Sequence, residues 1–85
     1  MNFSRDFEEI FEKVKAIICE NFSVSDEDVT PETNLFTDLE ADSLDLVDLV
    51  SALEYEFDIE ATDDAIEEIS TVADVVNCVI RSKDN

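Results

Sequence analysis

Residues 42–57 read Asp42-Ser43-Leu44-Asp45-Leu46-Val47-Asp48-Leu49-Val50-Ser51-Ala52-Leu53-Glu54-Tyr55-Glu56-Phe57. Set out at about 100° per residue, Leu46, Leu49, Val50, Leu53 and Phe57 gather on one side of a helix, which is expected to be core. Leu44, Val47, Ser51 and Tyr55 fall away from that side and share the outer one with Asp45, Asp48 and, at its edge, Glu54. A core helix needs one apolar face, so a second apolar patch ringed by acids predicts a docking surface. Leu44 fits docking; Val47 fits either docking or packing against the preceding loop.

The helix start is just as informative. Asp42 suits the N-cap, and Asp45 at the third helical position is favoured by the helix dipole. That leaves Ser43 at the first helical position with a hydroxyl the cap does not need. The chain has no histidine, so the usual base for a nucleophilic serine is missing. Lys13 and Lys15 lie on the outer face of another predicted helix. A serine hydrolase is therefore excluded. Ser43 reads instead as a residue that a different enzyme modifies. A phosphodiester there would sit near the N–H groups at the positive helix end, with Asp42 and Asp45 opposing it.

Outward from this segment the pattern stays helical. Phe7, Ile10, Phe11, Val14, Ile17, Ile18 and Phe22 recur at three and four residues, predicting a first helix over about 4–22. From 23 to 42 the periodicity lapses into a long loop anchored by Val24, Val29, Leu35, Phe36 and Leu39. Thr30-Pro31 suggests a cap followed by a single turn. With no glycine in the chain, any turn with positive φ is expected at Asn or Asp, Asn34 being the candidate. A short helix is predicted over about 63–68, capped by Thr62 or Asp63. A last helix starts at Thr71, where Asp74 completes a T-x-x-D cap and Val72, Val75, Val76, Val79 and Ile80 form the core face. No strand alternation or repeat appears. The expectation is one all-α domain over residues 1–85: a small four-helix bundle of three longer helices and one short one, with the long loop between the first and second.

Charge narrows the partners. Asp and Glu number 24 against 5 Lys and Arg, a net charge of −19. The basic residues are Arg5, Lys13, Lys15, Arg81 and Lys83, and nothing between Ala16 and Ile80 is positive. Such a chain repels nucleic acid and anionic lipid, and attracts basic protein patches with strong salt dependence. The N-terminal stretch is acidic with no continuous apolar run, so it is not read as a signal peptide, and no run reaches membrane-spanning length. A cytoplasmic monomer is expected. Cys19 and Cys78 fit no metal spacing and read as free thiols off the main apolar stripes. Asp26-Glu27-Asp28 and Asp38-x-Glu40-x-Asp42 offer clustered oxygens, so an acidic divalent-cation-binding interaction module is the alternative of a different class. Neither cluster has the glycine of a calcium loop, and no specific metal site is expected.

Leu39-Glu40-Ala41-Asp42-Ser43-Leu44-Asp45, continued by Leu46 to Glu54, resembles the prosthetic-group site and recognition helix of the acyl carrier proteins. The resemblance extends to Phe11–Phe22, Val29–Leu39 and Ser70–Ile80. It implies that the chain is not an enzyme, and that Ser43 bears a 4′-phosphopantetheine arm, donated from coenzyme A by a magnesium-dependent phosphopantetheinyl transferase. Acyl groups would ride on the arm as thioesters. Asp42 matches the acid that helps place the transferase's metal. Leu44, Asp45, Val47, Asp48, Ser51 and Glu54 match positions that dock on basic patches of synthase enzymes, with Glu56, Asp63, Asp64 and Glu67 extending that surface. Leu53, Ala61, Ile66 and Ile69 match the lining of the acyl-chain cavity. Fatty-acid biosynthesis is the role most similar, with specialised polyketide, peptidyl or aminoacyl carriers as alternatives. The sequence departs from the pattern at Glu40, usually glycine; at Ser51, usually bulky and apolar; at Tyr55, usually acidic; and at Ala61 and Ile66, respectively smaller and larger than usual.

Overall fold

The computed structural model describes residues 3–84. Their order is α1 (Phe3–Phe22), a 3-10 turn (Asp26–Asp28), α2 (Ser43–Phe57), α3 (Asp63–Glu67) and α4 (Val72–Asp84). This is the all-α arrangement expected from the periodicities. Among the described residues the sole ladder-type pairing is an isolated bridge between Asn34 and Thr71. No described helix is long and apolar enough to cross a membrane.

The core follows the helical stripes. Ile10, Val14 and Ile18 from α1, Leu46, Leu49, Val50 and Leu53 from α2, and Val72, Val75, Val76 and Val79 from α4 are all buried. α1 packs chiefly on α4 and next on α2. Phe7 and Phe11 stack at 6.3 Å on α1, and the Lys15 ammonium lies 5.4 Å from the Phe11 ring centre. Cys78 joins the buried set, against the expectation that both cysteines sit off the apolar stripes. It belongs to the same buried cluster as Val75 and Val79, where a small thiol packs as an apolar group.

The long loop is fixed at both ends of its course. Val29, Leu35 and Ala41 are buried, and Val24 and Leu39 pack half-buried against them. Phe36, expected as an anchor, is exposed. Backbone bonds tie the loop to the start of α4: Leu35 N–H to Ser70 O at 2.8 Å, Val72 N–H to Thr33 O at 2.9 Å and Ala73 N–H to Pro31 O at 2.9 Å. Buried Thr33 accepts the Thr30 N–H at 2.9 Å and donates its hydroxyl to the Asp28 carbonyl at 3.2 Å. The helical turn of this loop lies at Asp26–Asp28, ahead of Thr30-Pro31, where only a turn closed by Thr33 N–H to Thr30 O forms.

The left-handed positions match the expectation of Asn or Asp at Asp58 and differ from it at Ser23 and Glu40, and Asn34 is not among them. They are Ser23, Glu40 and Asp58, with φ of 56°, 58° and 55°. Asn34 instead turns its side-chain oxygen onto the N–H groups of Phe36 and Thr37 at 2.9 and 3.0 Å. An Asx-type turn therefore replaces the left-handed residue there.

Candidate functional site

Ser43 is the first residue of α2 and is exposed. Its position is set from both sides. Behind it, Glu40 takes a left-handed conformation, buried Ala41 donates its N–H to Leu35 O at 2.9 Å, and the chain leaves the loop at Asp42. Ahead of it, Asp42 and Asp45 form a capping box. The Asp45 N–H donates to Asp42 Oδ1 at 2.9 Å, and the Asp42 N–H donates to Asp45 Oδ2 at 3.1 Å. The serine hydroxyl takes no part in the cap, as the sequence predicts. It stands outward from a backbone held on each side.

The outer side of α2 runs away from this point. Leu44 is 74% exposed, Val47 53% and Tyr55 91%, and Asp45, Asp48 and Ser51 are exposed with them. Val47 therefore faces outward; it does not pack against the loop. Glu54 behaves differently. It is half-buried, and its carboxylate accepts the Ala61 N–H at 2.9 Å while its carbonyl takes the N–H groups of Asp58 and Ile59. Glu54 thus fixes the turn that leads into α3. Glu56 opens on a groove it shares with Lys13, Ala16, Ile17 and Glu20 of α1. That places it away from the Leu44–Tyr55 row. Asp63, Asp64 and Glu67 are exposed on α3, whose start is capped by the Thr62 hydroxyl accepting the Ala65 N–H at 3.1 Å.

The four residues matched to an acyl cavity lie on the inner side. Leu53 and Ile69 are buried in the core, and Ala61 and Ile66 pack half-buried against it. No residue of α3 is fully buried. A groove runs along the α3–α4 junction past Ala65, Ile69, Asp74, Asn77 and Ile80. At its rim Arg81 approaches Glu68 at 4.0 Å, an exposed pair of little energetic weight.

Both cysteines are free thiols. Partial burial pushes the Cys19 thiol up, and Asp26, whose Oδ1 accepts the S–H at 3.3 Å, pushes it further. A thiol held protonated beside a carboxylate is a poor nucleophile. Among the described residues no three acidic, cysteine or histidine side chains converge as a metal site. Asp38 Oδ2 is occupied by the Asn34 N–H at 2.8 Å, and Asp42 by its cap.

Sequence reasoning missed the Glu54 latch and the choice of Glu40 for the left-handed turn. No periodicity marks the first. The second had a signal in the missing family glycine, because a turn that needs positive φ still needs it when another residue stands there.

A family model described as the phosphopantetheine attachment site matches residues 12–79. An acyl carrier protein of Picosynechococcus is 50% identical over 72 residues, covering 85% of this chain and 89% of that protein. The structure of an acyl carrier protein from Thermotoga maritima superposes with a TM-score of 0.79 at 30% identity, over 93% of this chain and 92% of that one. One from Enterococcus faecalis gives 0.75 at 36% identity, over 89% and 96%. The helical order, the capped serine and these likenesses agree: the chain belongs to the acyl carrier proteins, non-catalytic carriers that bear 4′-phosphopantetheine.

Proposed function

We propose that Ser43 is the attachment residue and that the chain shuttles acyl groups between enzymes of fatty-acid biosynthesis in the cytoplasm, as a monomeric single domain over residues 1–85. The observation that carries this is the exposed Ser43 hydroxyl, free of the Asp42–Asp45 cap, at the head of an outward apolar and acidic helix face. The residues present fit the group: nothing in the capping geometry competes for the hydroxyl, and the backbone on both sides is pinned. The arm supplies a terminal thiol that holds acyl groups as thioesters. The protein's own residues supply the rest. Asp42 spends Oδ1 on the cap, which supports its other oxygen serving the transferase's magnesium. Leu44 and Val47 form the greasy centre of the docking face, Ser51 continues it, and Asp45 and Asp48 form the charged rim. A net charge of −19 draws basic partners in and makes their encounter rates fall with salt. Glu54 adds charge to this face while its carboxylate serves the Ala61 turn.

Leu53, Ala61, Ile66 and Ile69 line the path of a sequestered chain in this reading. Entry requires α3 to part from the core, which its lack of any fully buried residue supports. The small Ser51 and the bare Tyr55 favour a second reading, a specialised carrier for polyketide, peptidyl or aminoacyl groups.

The test is the intact mass after incubation with coenzyme A, magnesium and a broad phosphopantetheinyl transferase. One added arm on the wild type and none on folded Ser43→Ala is expected. Loading of the alanine variant would move the site elsewhere. An unmodified wild type beside an active control would overturn the carrier reading. Elongation of the loaded acyl chain by a fatty-acid ketosynthase then separates the fatty-acid role from the specialised one.

A further inference from the structure

Tyr55 is 91% exposed, more than any other large apolar side chain among the described residues. It is the one tyrosine in a chain without tryptophan. On α2 it stands one turn beyond Ser51 and two beyond Val47, so Val47 and Tyr55 are about 12 Å apart along the axis. The short Ser51 lies between them, which leaves a notch in the outer row. Val47 stands at one end of it and Tyr55 at the other. Asp48 and Glu54, three residues to either side of Ser51, flank it on the helix surface.

The chemistry of this notch selects its occupant. An acidic group is repelled by Asp48 and by the field of the whole chain. A purely apolar knob would strip water from Asp48 without pairing it. A cation is favoured twice, by the carboxylate and by the negative face of the ring. Between the two common cations, a guanidinium stacks flat on an aromatic ring and keeps its N–H fork for a carboxylate. An ammonium does neither as well. The long apolar stem of an arginine also needs room beside the ring, and the serine provides it.

We infer that Ser51 and Tyr55 form a receptor for one arginine of a basic partner protein, with its stem over Ser51, its guanidinium on the Tyr55 ring and Asp48 as counter-ion. The inference rests on the docking reading of α2 and adds a partner residue to it. A bulky side chain at position 51 would fill the stem's place, so the two positions act together.

The test titrates the full-length protein, loaded with its arm, with oligo-arginine and oligo-lysine peptides of equal length and charge. Calorimetry gives the affinities, and the single tyrosine's emission reports the contact. The arginine peptide is expected to bind about two- to five-fold tighter than the lysine peptide and to perturb the emission more. Ser51→Leu should remove the preference with the tyrosine still in place. Tyr55→Glu should remove it too, even though the added charge strengthens general attraction to both peptides. Equal affinities in the wild type, or a preference surviving both substitutions, would overturn the arginine receptor and leave electrostatic docking standing. A neutral amphipathic peptide that perturbs the tyrosine as strongly would replace the arginine with an apolar occupant. If neither basic peptide binds in a salt-dependent way, the docking reading falls with the inference.

Discussion

Asp42 and Asp45 hold each other's backbone N–H across the first turn of α2, at 2.9 and 3.1 Å, with Ser43 and Leu44 enclosed between them. Two carboxylates here do the work usually shared by a hydroxyl and a glutamate. On the proposed function, the acids assigned to docking and metal placement also fix the helix start. On that reading the serine is held by the same groups that a transferase would read.

The two roles of Asp42 separate by substitution. Asn is as good an N-cap as Asp, so Asp42→Asn should leave the unfolding free energy within about 0.5 kcal/mol. Asp42→Ala should cost about 1 kcal/mol. Both should slow magnesium-dependent loading of Ser43, because both remove the charge. Urea unfolding and initial loading rates by mass spectrometry give the two quantities. Normal loading of Asp42→Asn would reduce Asp42 to a cap.

Glu40 carries a cost that the sequence already implies. A side chain at φ 58° brings Cβ against the following carbonyl, at roughly 1–2 kcal/mol. Glycine removes that penalty but loses more backbone freedom on folding, about 0.5–1 kcal/mol. Glu40→Gly should therefore stabilise the fold by about 0.5–1 kcal/mol. Glu40→Gln removes the same charge but keeps the Cβ, and isolates the conformational part. Equal gains in the two variants under urea would assign the effect to charge relief.

The parts that were legible in the sequence are those set by repetition. Ile10, Val14 and Ile18, or Leu46, Leu49, Val50 and Leu53, announce their helix face by spacing alone, and all are buried. The cap at Asp42 and the box of Thr71 with Asp74 were legible because side chains reach N–H groups only three residues away. The bond from Glu54 to Ala61 spans seven residues around a left-handed Asp58, and depends on where that turn sends the chain. Local pattern carries no trace of it. Phe36 shows the converse limit: an aromatic residue in an anchored loop reads as an anchor, but the Asn34 side chain turns the backbone so that its neighbour Leu35 is buried and Phe36 is not.

Asp74 gives the fold a defined acid sensitivity. The Thr71 N–H first, and the Ser70 N–H after it, hold its carboxyl below the ordinary range, each donating to Oδ2 at 3.0 Å. A depressed folded-state pKa contributes stability above the unfolded value and loses it as pH falls through the folded value. The variant Asp74→Asn isolates the one group. Its deficit against wild type should be largest near neutral pH and should shrink below about pH 4, where the unfolded-state carboxyl is already protonated. A deficit constant from neutral to acid pH would show that the box stabilises through shape alone.

Asp48 and Glu54 flank the same notch and should respond in opposite ways. Asp48 is exposed, so Asp48→Lys should change stability little and slow partner reactions, more at low salt than at high. Equal slowing at both salt levels would remove electrostatics from the docking step. Glu54 is half-buried and bonded to the Ala61 N–H. Truncation to alanine strands that donor at a cost of about 1–2 kcal/mol, while glutamine keeps an acceptor and most of the stability. Hydrogen exchange at the Ala61 amide should accelerate in Glu54→Ala and stay near wild type in Glu54→Gln. If the glutamine variant instead keeps its protection but loads as slowly as Asp48→Lys, the Glu54 charge is read by partners as strongly as the Asp48 charge, and the latch is only half of its role.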